Sequence, residues 1–207
     1  MNILTFIKRS LTVVVMVLSV QYAVAQSATS ILDKTAAKFK AAGGVKATFT
    51  MDAGAGPASG VIKLSGKKFT IDVGGGYVVW FDGKDMWSYL KDNEEVNITN
   101  PTPEETARMN PYAFVDLYKK GYDAKMGKST AQYYEVILNA TDKKLPLQKV
   151  VLHINKANYQ PVMIDMSSSK TTSKITITSY NANQKFSSST FTFNKKSYPN
   201  VEIIDLR

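Results

Sequence analysis

From Val45 onward apolar side chains recur at every second position, and this alternation constrains the fold more than any other feature of the chain. Val45, Ala47, Phe49 and Met51 alternate with polar residues; Gly60, Ile62 and Leu64 follow, then Phe69, Ile71 and Val73 after a Ser65-Gly66 turn. Residues two apart share one face of a strand, so each run predicts a β-strand with one face toward a core. Gly74-Gly75-Gly76 permits a tight reversal into Tyr77 to Phe81, and Asp82-Gly83 is a hairpin signal leading into Met86 to Leu90. After an interruption, strands are expected at Tyr133 to Ala140, Gln148 to Asn155, Pro161 to Met166, Lys174 to Tyr180, Thr190 to Asn194 and Val201 to Asp205. The polar stretch from Ser167 to Ser173 reads as a mobile loop or hairpin tip rather than a domain linker. The total is about eleven strands.

Three helices are expected around this sheet. Ser30 opens an S-x-x-D capping pattern with Asp33, while Ala28, Ile31, Leu32, Thr35, Phe39 and Ala42 recur at helical spacing until Gly43-Gly44. Thr102-Pro103-Glu104-Glu105 combines an N-cap, a proline at the first helical position and a glutamate three residues beyond the cap. Asn110-Pro111 repeats the cap-plus-proline pattern up to Gly121, with Phe114, Leu117 and Tyr118 as its apolar stripe. The fold class is mainly β (α+β), one curved antiparallel sheet wrapped around helices.

The N-terminus sets the compartment. Lys8 and Arg9 form a positive region, Leu11 to Val20 is almost unbroken apolar, and Ala23-Val24-Ala25 offers a cleavage site before Gln26. Residues 1–25 are therefore expected to be a cleaved export signal rather than a membrane anchor, which needs roughly 20 apolar residues. Residues 26–207 are left as a single domain working outside the cytoplasm. The chain has no cysteine, which excludes disulfides, thiolate metal sites and a lipid-anchored N-terminal cysteine, so stability must come from an ordinary packed core.

Residues able to do chemistry are sparse. The net charge of +9 comes from scattered lysines, including the pairs Lys67-Lys68, Lys143-Lys144 and Lys195-Lys196, and does not form a nucleic-acid-binding run. His153, the one histidine, is out of phase with Val150, Leu152 and Ile154, which places it on the outer face. Glu94-Glu95 suits a turn and Glu104-Glu105 suits a helix N-terminus, and the triple glycine lacks the lysine-serine pair of a phosphate loop. Catalysis, a metal and a cofactor are all left without candidate residues. Greasy side chains are plentiful instead: Met51, Met86, Met109, Met126, Met163 and Met166, together with many aromatics, can build a core or line an adaptable cavity.

Three local sequences stand in a fixed order: Gly60-Val61-Ile62-Lys63-Leu64-Ser65-Gly66-Lys67-Lys68-Phe69, then Asp82-Gly83-Lys84 leading to Trp87-Ser88-Tyr89, then Phe191-Thr192-Phe193 followed by Pro199-Asn200-Val201-Glu202-Ile203-Ile204-Asp205. With the order of elements, they resemble the LolA family of periplasmic outer-membrane lipoprotein carriers. It implies an unclosed antiparallel β-barrel with a helical lid over a hydrophobic cavity that takes the acyl chains of lipoproteins. It also implies a monomeric periplasmic carrier that receives acylated cargo from an inner-membrane exporter and delivers it to an outer-membrane acceptor. The cavity and lid candidates are Ile31, Leu32, Phe39, Phe49, Ile62, Leu64, Phe69, Ile71, Val73, Trp80, Trp87, Tyr89, Phe114, Leu117, Val136, Leu138, Leu152, Ile164 and Ile177. A slip of one residue swaps the faces of a strand, and Trp87 with Tyr89 competes with Met86 and Leu90 for the inside. Family members carry an Arg-Pro pair after the early strand, where the arginine is associated with locking the lid; Ser65-Gly66-Lys67-Lys68 stands there instead. Lys67 and Lys68 are thus the latch candidates, without the planar fork of arginine. Two other classes stay open: a periplasmic module on the same half-barrel that senses a lipid or a partner protein without transport, and a secreted hydrolase.

Overall fold

The structure, a computed structural model, describes residues 27–52, 56–74, 76–110 and 118–207. Among these residues a twelve-stranded sheet holds two α-helices and three short 3-10 turns. The first meander contributes β1 (Gly44–Asp52), β2 (Pro57–Ser65), β3 (Lys68–Val73), β4 (Tyr77–Phe81), β5 (Met86–Leu90) and β6 (Glu95–Thr99). The second contributes β7 (Tyr122–Met126), β8 (Tyr133–Ala140), β9 (Lys149–Asn155), β10 (Pro161–Ser167) and β11 (Thr172–Asn181). Antiparallel pairing of β1 with β11 joins the two meanders, and β12 (Glu202–Asp205) returns to pair with β6. The sheet runs β12-β6-β5-β4-β3-β2-β1-β11-β10-β9-β8-β7 and does not close on itself.

Three details depart from the expected pattern. The β12–β6 pair is parallel, the one exception in an otherwise antiparallel sheet. Strands β6 and β7 are not among those expected; each alternates over only five residues, with two apolar side chains in β6 (Val96, Ile98), too short a run to stand out. Thr190 to Asn194 is not a strand, because Ser187 caps a 3-10 turn over Ser188–Phe191, in which the Thr190 N–H donates to the Ser187 carbonyl.

Helix α1 (Ala28–Ala41) begins one turn earlier than its predicted cap. Ser27, not Ser30, is the N-cap, its hydroxyl accepting from the Ser30 N–H at 3.1 Å. Asp33 is thereby released from capping. Ile31 and Leu32 are fully buried, Ala28 and Thr35 nearly so, whereas Ala36 and Phe39 further along are only half-buried. The first half of the helix is thus the more deeply packed; the second half still meets the core through Ala36, Phe39 and the C-cap residue Ala42. The short α2 (Pro103–Met109) has the expected capping box: Thr102 accepts from the Glu105 N–H at 3.2 Å, and the Glu105 carboxylate accepts from the Thr102 N–H at 2.8 Å. The helix expected after Asn110-Pro111, with Phe114 and Leu117, lies outside the described residues.

Register sorts the strands into two faces. On the face under α1, Val45, Leu64, Phe69, Phe81 and Met86 form one cross-strand row, with Ala47, Ile62, Ile71 and Val79 forming the next. Phe49 pairs with Ile177 on one side and Gly60 on the other, and its ring lies directly over Gly60, where a Cβ would also stand 2.6 Å from the Asp72 carbonyl. Only glycine admits that approach. A neighbouring row runs from Met51 through Ile175, Ile164 and Leu152 to Val136 and carries the inner face into the second meander.

Candidate functional site

A hollow of about 790 Å³ opens at one end of the half-barrel. Its walls come from the second half of α1 (Ala36, Phe39, Lys40), the β2–β3 turn (Gly66, Lys67), the facing rings Phe69 and Phe81, and Gly83 of the β4–β5 turn. Pro101, Pro103, Thr106 and Asn110 bring the N-terminal approach and body of α2 to the same space, and Lys120 closes the rim. The Phe69 and Phe81 rings lie 5.2 Å apart in a tilted contact on neighbouring strands. The capping box fixes where α2 enters, so its proline-flanked first turn is held against the opening rather than left to fray. An apolar base with a polar, lysine-bearing mouth can bury a hydrocarbon while leaving one polar end at water.

The predicted lining residues divide into three groups. Phe39 and Phe69 line the hollow, as does Lys67 from the latch pair. Phe49, Ile62, Leu64, Ile71, Val73, Val136, Leu138, Leu152, Ile164 and Ile177 share the inner face but pack into the core with Ile31 and Leu32; of these Leu64, Val136 and Leu138 are fully buried. The middle of the half-barrel is therefore filled, and the open volume is confined to its end. Trp80, Trp87 and Tyr89 lie on the opposite face, a correction to their expected position. Trp80 sits opposite Thr70 and Trp87, Tyr89 opposite Val78 and Val96, while Met86 takes the inside.

Phe81, Ala36, Lys40, Lys120 and the α2 residues were missed by sequence reasoning. For Phe81 a signal existed: once Asp82-Gly83 sets the hairpin, Phe81 must face Met86 and share the face of Phe69. The others come from loops and helix ends, whose placement no periodicity reports.

Neither latch lysine contacts α1 through an ion pair. Salt bridges among the described residues join Lys119 to Asp33 at 3.4 Å and Arg207 to Asp85 and Asp205 at 3.1 and 2.6 Å, with His153 3.9 and 3.8 Å from Glu135 and Asp165. The link to α1 is made by the turn at 118–120: the Tyr118 hydroxyl donates to Asp33 Oδ1 at 2.5 Å, and Lys119 stands beside both. The Tyr118 hydrogen bond is the chief cause holding the Asp33 carboxyl below its ordinary range. Burial, then Asp33, pushes the Tyr118 phenol up. His153 occupies the outer face expected of it, since it pairs with Glu135 and Met163 across the strands. Among the described residues no group of three or more acidic or histidine side chains is arranged to hold a metal, and no helix is long and apolar enough to cross a membrane.

A single curved sheet left open, with a helix laid along its inner face and a hollow at one end, defines the class as an open β half-barrel. The solved structure of an uncharacterized conserved protein from Thermus thermophilus shares this fold: 11% identity, TM-score 0.60, covering 86% of this chain and 98% of that one. The chain belongs to the family described as outer membrane lipoprotein carrier protein LolA, whose model matches residues 18–170. A LolA superfamily protein from Nitrosomonas europaea is also similar, at 13% identity and TM-score 0.47 over 82% of this chain and 99% of that one. So is the lipoprotein LppX of Mycobacterium tuberculosis, at 9% identity and TM-score 0.47 over 77% and 97%. Comparison with curated proteins returned no match.

Proposed function

We propose that the protein is a periplasmic carrier that shelters the acyl chains of lipoproteins and passes them to the outer membrane, exported under the signal of residues 1–25. The observation that carries this reading is the apolar hollow at the end of a family half-barrel, walled by Phe39, Phe69 and Phe81. At roughly 0.8 kcal/mol per CH₂, a long acyl chain left in water costs on the order of 10 kcal/mol, so a lipid-modified protein needs a shelter to cross an aqueous compartment. Delivery requires that the shelter also open. The second half of α1, half-buried at Ala36 and Phe39 where Ile31 and Leu32 are buried, is the part suited to move, while the Tyr118–Asp33–Lys119 contact ties the first half to the turn at 118–120. In this reading Lys67 borders the mouth of the shelter rather than locking it.

The test is retention and release. Purified protein lacking residues 1–25 is expected to keep a triacylated lipoprotein soluble through gel filtration and then to give it up to outer-membrane vesicles. Retention without release would mark the second class, a module that senses lipid or partner. Failure to retain the lipoprotein, together with no uptake of an uncharged fluorescent hydrocarbon, would overturn the reading.

A further inference from the structure

We propose that the hollow also takes a single-chain amphiphile with an anionic headgroup, received at the mouth by Lys40, Lys67 and Lys120; the proposal rests on the reading of the hollow as an acyl shelter and adds a second class of occupant to it. The three lysines come from three unrelated places in the chain: the last turn of α1, the β2–β3 turn and the turn before β7. They meet at one opening, and among the described residues no aspartate or glutamate lines it. None of the salt bridges among the described residues uses any of them.

Carboxylates near it among the described residues have other work. Asp82 accepts the Lys84 and Asp85 N–H groups, Glu105 accepts the Thr102 N–H, and Asp33 is held by Tyr118 and Lys119. Three cations bordering one apolar opening give it a positive potential, which favours an anionic headgroup over a neutral one. The long lysine stems can lie along the apolar rim while the ammonium groups turn toward a phosphate or carboxylate at the chain's end. A volume of about 790 Å³ falls within the range of roughly 300–1,000 Å³ that holds one small ligand, which fits a single amphiphile with its head at the rim.

The experiment measures displacement of the uncharged probe N-phenylnaphthylamine by ligands of one chain length and different heads, each below its micelle concentration. Lysophosphatidylglycerol and the free fatty acid are expected to bind about ten-fold more tightly than the monoacylglycerol at low ionic strength, a preference that shrinks as salt is added. Preference for lysophosphatidylglycerol alone would assign the head as a phosphodiester, and preference for both would assign it as any compact anion; either supports the proposal. Each single Lys→Gln change should lower the anionic preference about two-fold, and the triple variant K40Q/K67Q/K120Q should bring the ratio close to one. Equal affinity of the unmodified protein for all three heads, with the probe still taken up, would overturn the headgroup proposal and leave the acyl shelter standing. No uptake of probe or amphiphile would overturn both.

Discussion

The two faces of this sheet are buried by different means. The inner face is covered by a regular helix and built from aliphatic rows, with Ile31 and Leu32 of α1 seated against Val136, Leu138 and their neighbours. The outer face of β3 to β6 is covered by an irregular segment, where Phe191 is buried, the Thr190 carbonyl accepts the Thr70 hydroxyl at 2.6 Å, and Tyr198 makes ring contacts with Trp80, Tyr89 and Phe193. Val78, Trp80, Val96, Phe191 and Val201 form no part of the inner cluster, so the outer face has a core of its own. Each face also keeps an open space: about 790 Å³ among phenylalanines and lysines on the inside, and about 630 Å³ among Lys63, Lys195, Thr70, Ser189, Thr190 and the Trp80–Phe193–Tyr198 rings on the outside. The difference teaches that apolar walls alone do not locate a lipid site. The inner hollow lies beside the half of α1 that is least tightly packed, whereas the outer cleft is edged by hydroxyls and pinned by hydrogen bonds.

The comparison is broken most forcefully at the inner face. Phe69 is fully buried, and Phe69→Ala should lower stability by about 3–5 kcal/mol in urea unfolding while enlarging the hollow. At the outer face Tyr198→Ala, which removes three ring contacts from a side chain still partly exposed, should cost about 2 kcal/mol and leave uptake of an uncharged hydrocarbon probe unchanged. A loss of uptake as large as its loss of stability would show that the faces are not separate. Thr102→Ala removes the α2 cap and should cost about 1 kcal/mol, with weaker amphiphile binding because the first turn of α2 borders the hollow.

The smallest effect concerns the sheet edge. Arg207 donates from Nε and Nη2 to both carboxylate oxygens of Asp205, which draws the Asp205 pKa down to about 2. A lowered carboxylate pKa stabilises the fold above the unfolded value and loses that contribution as the pH falls through the folded one. Acid titration of stability should therefore show a shallow decline between about pH 4 and about pH 2 that is reduced in Asp205→Asn.

Where one face is buried and the other is wet, the sequence is legible. Val45 to Met51, Ile62 to Leu64, and Val150 to Ile154 alternate cleanly, and they face as their spacing requires, with His153 turned out. Legibility fails at β4. Tyr77-Val78-Val79-Trp80-Phe81 is apolar throughout because both faces are covered, and a continuous run carries no phase. Size alone favours Trp80 for the inside, yet its large ring belongs to the aromatic cluster on the other side. The cover itself is hidden as well: the segment from Ser187 to Tyr198 is polar and irregular, and its few aromatics imitate a strand. Of the hollow, the aromatic floor is half visible through Phe39 and Phe69. Its cationic rim is not, since Lys40, Lys67 and Lys120 are brought together only by the tertiary fold.

The most direct test of the central claim is to photolabel the protein with a diazirine-bearing fatty acid and map the modified residues by mass spectrometry. The account predicts label concentrated on the walls of the inner hollow, at Phe39, Phe69 and Phe81 and the adjoining first turn of α2. Label gathered instead around Trp80, Phe193 and Tyr198 would place the lipid on the wrong side of the sheet and contradict it.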